Sequence, residues 1–395
     1  MNNKAVILGA NYYIALGIIR SLGKKGIHTV AIEYQTQGTY GFKSKYLKEK
    51  QIAPHYKKDT KGFINFLIDY AKSQTEKPVL FPCADPYVEV IDAHLDILKE
   101  YYLIAQQEQG LFTKLMDKNS LQDIAIAHKV KIPETLQSND PNILERTRNE
   151  IGYPCIVKPS DSSSFVSTFR RKMFLVQKES ELLEAIEKAN EKNLEVFVQR
   201  IIPGFDDHMY TFDCYLNQDS KVTHYMTCNK KRQYPINFGA SVYTSQEHVP
   251  ELFHIGKPFL EAVGFKGFAE IEFKKDANTG EFYLIEINVR TTNFNVLLEK
   301  VGIDFPFIQY SELTGQEIGS NFFEKTTKRT FVYGLEDFLA IKGYLKTKQI
   351  TLGDLLKVAF RKKAYAIWSL DDPKPYFYYM GILFSKATKK IFKRK

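Results

Sequence analysis

The sequence predicts an α/β protein of several domains, and three observations support this. Short buried-type strands alternate with helical patterns over the first hundred residues. Two longer strands, rich in β-branched and aromatic residues, follow at 267–273 and 282–289, with a turn-forming cluster at 276–280 between them. With 395 residues, of which 44% are apolar, the chain can bury the cores of two or three domains.

The N-terminal region predicts a parallel sheet. A strand at 5–9, a helical pattern at 14–22 and a second strand at 26–32 form a β-α-β unit of the Rossmann type. The middle glycine of the dinucleotide fingerprint is missing between Gly9 and Gly17. We therefore do not expect NAD to bind here.

Asp85 follows a further strand of this sheet, at 78–82. Ligands of open α/β sheets gather at the carboxyl ends of the strands. Asp85 is expected either to orient a substrate amine there or to cap the helix predicted over 87–98.

Changes in pattern divide the chain into four regions. Residues 1–112 form the N-terminal Rossmann-like domain, and residues 113–200 form a smaller αβ lobe with two helices around a break at Pro133. Longer strands of antiparallel type fill a central lobe over residues 201–315. Residues 316–395 are predicted to be helical, aromatic and basic.

The strand pair of the central lobe carries a cluster of polar side chains. Period-two alternation places Glu270 and Glu272 on one face, and Glu286, Asn288 and Arg290 on one face of the partner strand. If the two faces coincide, burial of the cluster needs a hard cation and an anionic ligand to balance it. Such oxygen ligands suit Mg²⁺, which completes its shell with substrate phosphates. A solvated amphipathic hairpin is the alternative.

Four segments together resemble the ATP-grasp superfamily, which joins carboxylates to amines at the expense of ATP. Glu272 and the block Glu286-Ile287-Asn288-Val289-Arg290 are similar to the metal-binding end of that family. Three more segments, in the family's order, are similar to its two lysine-bearing segments and its adenine-binding segment: residues 116–120, 152–160 and 199–204. The resemblance implies the ATP-grasp fold behind a Rossmann-like domain, with ATP and Mg²⁺ (or Mn²⁺) as cofactors.

The resemblance also implies which residues bind the nucleotide. Lys118 and Lys158 would hold the α- and β-phosphates, although Lys118 also fits a solvated helix start. Ser163 lies in the loop at 160–165, which replaces the family's glycine-rich, phosphate-covering loop and contains no glycine. The adenine would contact the hinge residues Gln199, Arg200, Ile201 and Ile202. The ribose would contact Asp206 or Asp207, unless these two are plain turn residues.

The metal ligands and the cationic residues of the reaction follow from the same resemblance. Glu272, Glu286 and Asn288 match the Mg²⁺ ligands, whereas Glu270 has no match. Arg290 matches the arginine that stabilises the negatively charged intermediate in several members. Arg232, with its neighbour Lys231, could reach the γ-phosphate or the acyl phosphate. A basic surface loop is the rival interpretation for that pair.

The implied reaction has two steps. A carboxylate attacks the γ-phosphate of ATP to give an acyl phosphate, and an amine then displaces phosphate to leave an amide. No covalent enzyme intermediate is required, in keeping with the lack of a convincing Ser-His or Cys-His arrangement in the sequence. Positioning and charge neutralisation would carry most of the catalysis.

Further segments narrow the resemblance to the D-aspartate ligase group, which adds an amino acid to the lysine of a peptidoglycan precursor, a UDP-linked peptide. They are Leu8-Gly9-Ala10, Pro82-Cys83-Ala84-Asp85, Ile202-Pro203-Gly204-Phe205-Asp206-Asp207 and a basic aromatic tail. Small-molecule carboxylate and amine substrates are thus expected. A non-catalytic ATP-binding regulatory module and a ligase for another pair of substrates are the alternatives.

Composition limits the other function classes. A net charge of +9 suggests anionic partners, but no stacking motif of an RNA-binding module is present, so nucleic acid is not expected. The four widely spaced cysteines predict buried thiols in a reducing cytoplasm, and the eight scattered histidines argue against a zinc site. The sequence does not decide whether the protein forms a homodimer.

The basic excess is concentrated in the tail. An apolar and aromatic stretch at 376–384 precedes six basic residues: Lys386, Lys389, Lys390, Lys393, Arg394 and Lys395. An apolar stretch followed by basic residues could lie on an anionic bilayer. We favour a terminal helix packed on the domain with a solvated basic face, and peripheral membrane contact is the less favoured alternative.

Overall fold

The computed structural model describes residues 2–160, 162–237 and 239–392. The side chain of Ser163 and the basic side chains from Lys389 onwards lie outside the described part. Three sheets organise the described chain: a parallel sheet of four strands, an antiparallel sheet of four strands and a mixed sheet of eight strands. The α/β class and the parallel N-terminal sheet that the sequence predicts are confirmed.

The parallel sheet lies at the N-terminus, with strand order β3-β2-β1-β4. The strands β1 and β4 are apolar, and helices pack on both faces of the sheet, as is typical of parallel sheets. The elements are β1 (Ala5–Leu8), α1 (Tyr13–Lys24), β2 (Thr29–Glu33), β3 (Glu49–Ile52), α2 (Thr60–Lys72), β4 (Val79–Pro82), α3 (Asp85–Ala93) and α4 (Leu95–Leu98).

The small lobe follows, with an antiparallel sheet in the order β5-β8-β6-β7. Leu182 and Ala189 of α9 pack with β6 and β8 in one apolar core. The elements are α5 (Leu111–Met116), α6 (Lys118–Ala127), β5 (Thr135–Gln137), α7 (Ile143–Arg146), a π-helical turn (Thr147–Ile151), β6 (Cys155–Pro159), α8 (Ser162–Phe169), β7 (Phe174–Val176), α9 (Glu179–Asn190) and β8 (Val196–Arg200).

The helices of this lobe differ from the prediction of two helices around Pro133. The first helical stretch is split at Asp117, whose side chain accepts a 2.8 Å hydrogen bond from the Ser120 amide and so begins α6. The proline precedes the short strand β5 instead of a second helix. A proline disfavours the helical conformation at the residue before it, which explains why an extended strand and not a helix lies at this point.

The eight-stranded sheet forms the centre of the molecule, in the order β13-β12-β9-β10-β11-β15-β16, with β14 paired to β10. The strands are β9 (Met209–Leu216), β10 (Val222–Tyr234), β11 (Ala240–Gln246), β12 (Gly267–Lys275), β13 (Phe282–Asn288), β14 (Asn321–Phe322), β15 (Arg329–Val332) and β16 (Lys362–Tyr365). The helices are α10 (Pro250–Ala262), α11 (Asn295–Val301), α12 (Phe305–Leu313), α13 (Gly334–Lys346), α14 (Leu352–Ala359) and α15 (Lys374–Phe392).

The region after residue 315 is therefore not simply helical. Its strands β15 and β16 extend the central sheet beyond β11, with Thr244 opposite Phe331 and Phe331 opposite Ala364. These strands have four residues each. Over so few residues, the alternation of apolar and polar side chains cannot distinguish a strand from irregular chain. The four-region division of the chain stays a prediction.

A buried ion pair ties the C-terminal region to the first domain. The Nε atom of Arg20 donates a 3.0 Å hydrogen bond to Oδ2 of Asp372, and Nη1 donates a 2.8 Å bond to the Ile367 carbonyl. The hydroxyl of Ser44 donates to the same carboxylate at 2.6 Å. Arg20 and Asp372 are both almost fully buried. Residues from both ends of the chain thus share one polar core.

The tail helix α15 is packed on only part of its surface. Tyr376 and Tyr379 pack against the core of the first domain. Phe377, Met380 and Phe384 face solvent instead. The expectation that the stretch at 376–384 packs on the domain is right for the tyrosines and wrong for these three residues. No helix in the described part is long and apolar enough to span a bilayer.

Candidate active site

A cleft of about 410 Å³ is lined by residues of the first domain, the small lobe and the central sheet. The small lobe contributes lysines, the central sheet contributes an acidic face, and the first domain contributes Tyr12 and Asp85. The charged and amide residues that line it are Asp85, Lys118, Lys158, Lys172, Lys230, Gln233, Glu270, Glu272, Glu286, Asn288, Arg290 and Asn293.

The two polar faces of the hairpin coincide. In the antiparallel pairing of β12 and β13, Glu270 lies opposite Asn288 and Glu272 lies opposite Glu286. The amide nitrogen of Asn288 is 3.5 Å from Oε1 of Glu270 and 3.3 Å from Oε1 of Glu272. Glu270 and Glu272 are buried, so the alternative of a hairpin whose charges face water does not describe this strand.

Lys230 of β10 is the cation that balances this face. Its ammonium contacts the carboxylate of Glu272 and lies 3.5 Å from Oε1 of Glu270. Burial opposes the charge, but the two carboxylates outweigh it and raise the pKa of Lys230 above its usual value. One of the acidic charges is therefore neutralised within the protein.

The sequence analysis missed Lys230 and selected its neighbours. A β-bulge at Lys231, between Lys230 and Arg232, interrupts the period of two, so alternation cannot decide which cation of this run faces the cleft. Burial gives no further signal, because residues on both faces of β10 are buried, Cys228 on one face and Asn229 on the other. Lys172, which also lines the cleft, was missed as well.

The remaining acidic charge favours a divalent cation. The charge of Glu272 is the main cause that raises the pKa of Glu286, whose side chain is partly open to solvent, and burial raises the pKa of Glu272. In the described chain, no group of three or more His, Cys, Asp or Glu side chains is arranged to hold a metal ion. Two carboxylates and one amide oxygen nonetheless fit Mg²⁺, which takes few protein ligands and completes its shell with phosphate oxygens and water.

Two lysines of the small lobe face the acidic strands. Lys118 is the first residue of α6, and its ammonium donates a 2.8 Å hydrogen bond to the carbonyl of Pro159. Lys158 lies on β6 and lines the cleft beside it. Burial and the charge of Lys118 lower the pKa of Lys158 to about 8. Two ammonium groups held together in this way favour a polyanionic ligand.

An apolar pocket of about 280 Å³ adjoins the cleft, and Lys158 lines both. The predicted hinge residues Gln199, Arg200, Ile201 and Ile202 all line it. The strand β8 ends at Arg200, so the backbone of the two isoleucines lies beyond the strand. Its other apolar lining residues are Pro133, Ile156, Leu175, Phe205 and Ile285. An apolar lining with a few polar side chains suits a flat aromatic base.

The two candidate ribose carboxylates are placed differently. Asp206 lines the apolar pocket, where its Oδ2 atom accepts a 2.8 Å hydrogen bond from the amide of Asn237 and another from the hydroxyl of Tyr344. Asp207 is largely exposed and pairs with Nδ1 of His208 at 2.8 Å. Asp206 is therefore the better-placed of the two.

Arg290 connects the acidic strands to the first domain. Its Nε atom donates a 2.6 Å hydrogen bond to Oδ1 of Asp85, and its Nη2 atom donates a 3.1 Å bond to Oδ1 of Asn288. Asp85 is the first residue of α3, and the capping position is held by Ala84, with no side-chain cap. The capping alternative for Asp85 is wrong, because its carboxylate is engaged by the guanidinium.

Arg232 does not line the cleft, and this corrects the prediction of a catalytic role. Its guanidinium makes two hydrogen bonds to the carboxylate of Asp337, at 2.7 and 2.8 Å, and lies 3.8 Å from the centroid of the Tyr243 ring. Lys231 pairs with Glu247 at 3.0 Å. The bulge in β10 places both side chains in structural ion pairs.

The predicted phosphate-covering loop is short. The helix α8 begins at Ser162, and Phe165 is buried against Phe169 and Phe174. Serines therefore begin a helix here where the family commonly has a glycine-rich loop. The side chain of Ser163 lies outside the described part, so its predicted contact with phosphate stays a prediction.

Comparison with known proteins agrees with this geometry. Residues 121–308 match the family described as D-ala D-ala ligase C-terminus. The D-aspartate ligase of Enterococcus faecium (strain Aus0004) is 28% identical over 257 residues, which cover 61% of this chain and 60% of that protein. The D-alanine–D-alanine ligase of Francisella tularensis subsp. holarctica (strain LVS) is 25% identical over 210 residues, or 50% of this chain and 64% of that protein. Each alignment spans less than two thirds of the relative's length.

Solved structures share the fold at low identity. The biotin carboxylase domain of the Hydrogenobacter thermophilus 2-oxoglutarate carboxylase, solved with MgADP and bicarbonate, has a TM-score of 0.65 at 19% identity and covers 84% of this chain and 74% of its own. The N5-carboxyaminoimidazole synthetase of Staphylococcus aureus has a TM-score of 0.62 at 15% identity and covers 81% of each chain.

Residues 121–308 are thus similar to ligases of the ATP-grasp superfamily, and the fold is shared with such enzymes. Among the relatives compared, the chain resembles the D-aspartate ligase.

Proposed function

We propose that this protein is an ATP-dependent ligase that joins a carboxylate to an amine through an acyl phosphate. One observation carries the proposal: a single cleft brings paired lysines, an acidic face and an arginine together beside an apolar pocket. ATP needs an apolar slot for its base and fixed cations for its phosphates. The carboxylate face would be unfavourable at the phosphate end unless a divalent cation lay between.

Different residues would bind the base, the ribose, the phosphates and the metal ion. The base would occupy the apolar pocket, and Asp206 would meet the ribose. Lys118 and Lys158 would bind the α- and β-phosphates. Glu272, Glu286 and Asn288 would hold Mg²⁺, which neutralises charge on the transferring phosphoryl group when it is bound. Lys230, already at the acidic face, would add a second positive charge there.

The chemistry then needs few further groups. A carboxylate oxygen of one substrate forms a bond to the γ-phosphorus, and the bond from that phosphorus to ADP breaks. The amine nitrogen attacks the acyl carbon, phosphate leaves with the bonding electrons, and the nitrogen loses a proton. Arg290 would stabilise the negative charge that develops on the oxygen of this tetrahedral carbon, where a held guanidinium needs no reorganisation.

The substrates that we propose are an amino acid resembling D-aspartate and a peptidoglycan precursor, a UDP-linked peptide. The D-aspartate ligase relative supports this choice. Asp85 and Tyr12 extend the cleft to the first domain, which gives the substrates a place apart from the nucleotide. The proposed compartment is the cytoplasm, in keeping with four buried free thiols.

The test is phosphate release from ATP with a panel of amino acids, each with and without UDP-linked peptide precursors. Release that requires both an amino acid and the acceptor, with formation of the amide product, is the expected result. Release with a different pair would keep the reaction class and change the substrates. Tight ATP binding without phosphate release for any pair would identify a regulatory nucleotide-binding module and overturn the proposal.

A further inference from the structure

The exposed apolar side chains of this protein are concentrated at one end of the chain. Among the described residues, the six most exposed large hydrophobic side chains all lie between residues 352 and 384, and each is at least 64% exposed. They are Leu352, Leu356, Phe360, Leu370, Phe377 and Phe384. Single exposed apolar residues are ordinary, whereas exposed apolar side chains that share a helix face are typical of interaction surfaces.

The helix α14 shows the pattern most clearly. None of its residues is buried. Leu352 and Leu356 are four residues apart, and Phe360 follows after four more, so the three side chains project from the same face. Asp354 and Lys357 occupy other positions and pair with each other. The apolar face of an amphipathic helix is here left facing solvent.

The helix α15 and a neighbouring pocket carry further exposed apolar side chains. Phe377, Met380 and Phe384 recur at three- and four-residue spacing, which places them on one face of α15. Phe377 and Met380 also line an open pocket of about 600 Å³. The other apolar and aromatic lining residues include Leu335, Tyr365 and Trp368. Aromatic rings with polar edges suit the boundary between water and hydrocarbon.

Positive charge accompanies these residues. Residues 342–395 contain 14 Lys and Arg against three Asp, a net charge of +11, whereas the preceding 341 residues carry a net charge of −2. The three acids are already engaged: Asp354 caps α14, Asp371 accepts from Tyr46, and Asp372 pairs with Arg20. The basic excess is therefore not neutralised locally.

We propose that α14, α15 and the pocket beside α15 form a surface that docks on an anionic phospholipid bilayer. Exposed Leu and Phe side chains would enter the headgroup boundary, and the surrounding lysines would meet lipid phosphates. A second copy of this chain fits the surface less well, because two segments of net charge +11 would repel each other. The inference is independent of the proposed ligase reaction, since none of these residues lines the nucleotide cleft.

The test is co-sedimentation of the full chain with vesicles of phosphatidylcholine alone and of phosphatidylcholine mixed with phosphatidylglycerol. We expect binding to the mixed vesicles at low salt, weakening as salt is raised, and little binding to the neutral vesicles. The double variant Phe377→Ser with Phe384→Ser should partition at least about tenfold more weakly. Leu183→Ser, at a half-exposed site on α9, is the matched control and should bind like the wild type.

Charge is tested separately. Lys362→Glu combined with Lys374→Glu should weaken binding at least about tenfold, whereas Lys192→Glu should not. Absent binding to the anionic vesicles, or equal binding to both compositions, would overturn the proposal, and this comparison needs only the wild-type protein. A concentration-dependent dimer that the Phe377→Ser and Phe384→Ser pair dissociates, without vesicle binding, would assign the surface to a second copy.

Discussion

Arg290, which follows the last strand of the acidic hairpin, donates a 2.6 Å hydrogen bond to Asp85 on the first domain, and so fixes its guanidinium in the lining of the cleft. The same guanidinium reaches Asn288, one of the proposed metal ligands. The carboxylate of Asp85 therefore orients a cation that the proposed reaction uses. We describe Asp85 as a positioning residue, because it acts through Arg290.

Asp85→Asn should reduce turnover about tenfold, because the amide holds the guanidinium less firmly than the carboxylate does. The affinity for nucleotide should stay within about twofold, since neither residue lies in the base pocket. Steady-state kinetics and calorimetry on the same preparation separate the two effects. Asp96→Asn, at an exposed site paired with Lys99, is the control. A drop in ATP affinity equal to the drop in turnover would show that Asp85 does not act by orienting Arg290.

Glu286→Gln should lower turnover by at least about 100-fold, because it removes a charge from the proposed metal site while preserving the shape of the side chain. Glu281→Gln is the matched control at an exposed position outside the cleft, where Glu281 pairs with Lys131. ATP consumption measured across a Mg²⁺ titration checks the result. Unchanged consumption by a folded Glu286→Gln variant would contradict the metal assignment.

Lys158→Ala should weaken nucleotide binding by roughly 10- to 100-fold, since a hydrogen bond to a charged group contributes about 1.5–3 kcal/mol. Lys99→Ala, at a surface position, should bind like the wild type. Isothermal calorimetry with ADP and with ATP measures both. Equal nucleotide affinities in the wild type, Lys158→Ala and Lys99→Ala would show that Lys158 is an ordinary solvated lysine that does not contact the nucleotide.

The lowered pKa of Lys158 predicts a pH dependence. A lysine with an ordinary pKa stays charged to about pH 10, but here the pKa is about 8, and only the ammonium form binds phosphate well. Nucleotide affinity should therefore fall as pH rises from 7 to 9, and binding near pH 8 should take up a proton. Lys158→Arg keeps its charge over this window, so its profile should be flat. Parallel profiles for the two proteins would exclude Lys158 as the titrating group.

Asp337→Ala should lower the free energy of unfolding by about 3–5 kcal/mol, because it leaves the buried Arg232 guanidinium without its partner. The double variant Arg232→Met with Asp337→Leu should recover most of that loss, since apolar side chains tolerate the buried site. Urea denaturation checks both. If Arg232→Met retained full stability and lost only ATP turnover, Arg232 would belong to the chemistry after all.

The sequence was sufficient where one local rule decides the geometry. Alternation within each strand was enough to place Glu270 with Glu272 and Glu286 with Asn288. It could not decide whether the two faces coincide, because the pairing of β12 with β13 contains an irregularity beside Glu272. The alternation fails at the bulge beside Lys231, and Lys230 was missed for that reason. Asp85 was ambiguous because its partner, Arg290, lies 205 residues further along the chain. No local pattern contains such a pairing.

The pairing of Arg20 with Asp372 has a consequence for synthesis of the chain. The two residues are 352 positions apart, so α1 leaves the ribosome long before its buried carboxylate exists. Domains commonly fold in the order in which they emerge, but this one must hold a guanidinium in a site that stays open to water until residue 372 has been made. The first domain to appear is therefore expected to be among the last to reach its final packing. A chain that stalls before residue 372 would leave Arg20 without its carboxylate and this part of α1 exposed to chaperones and proteases.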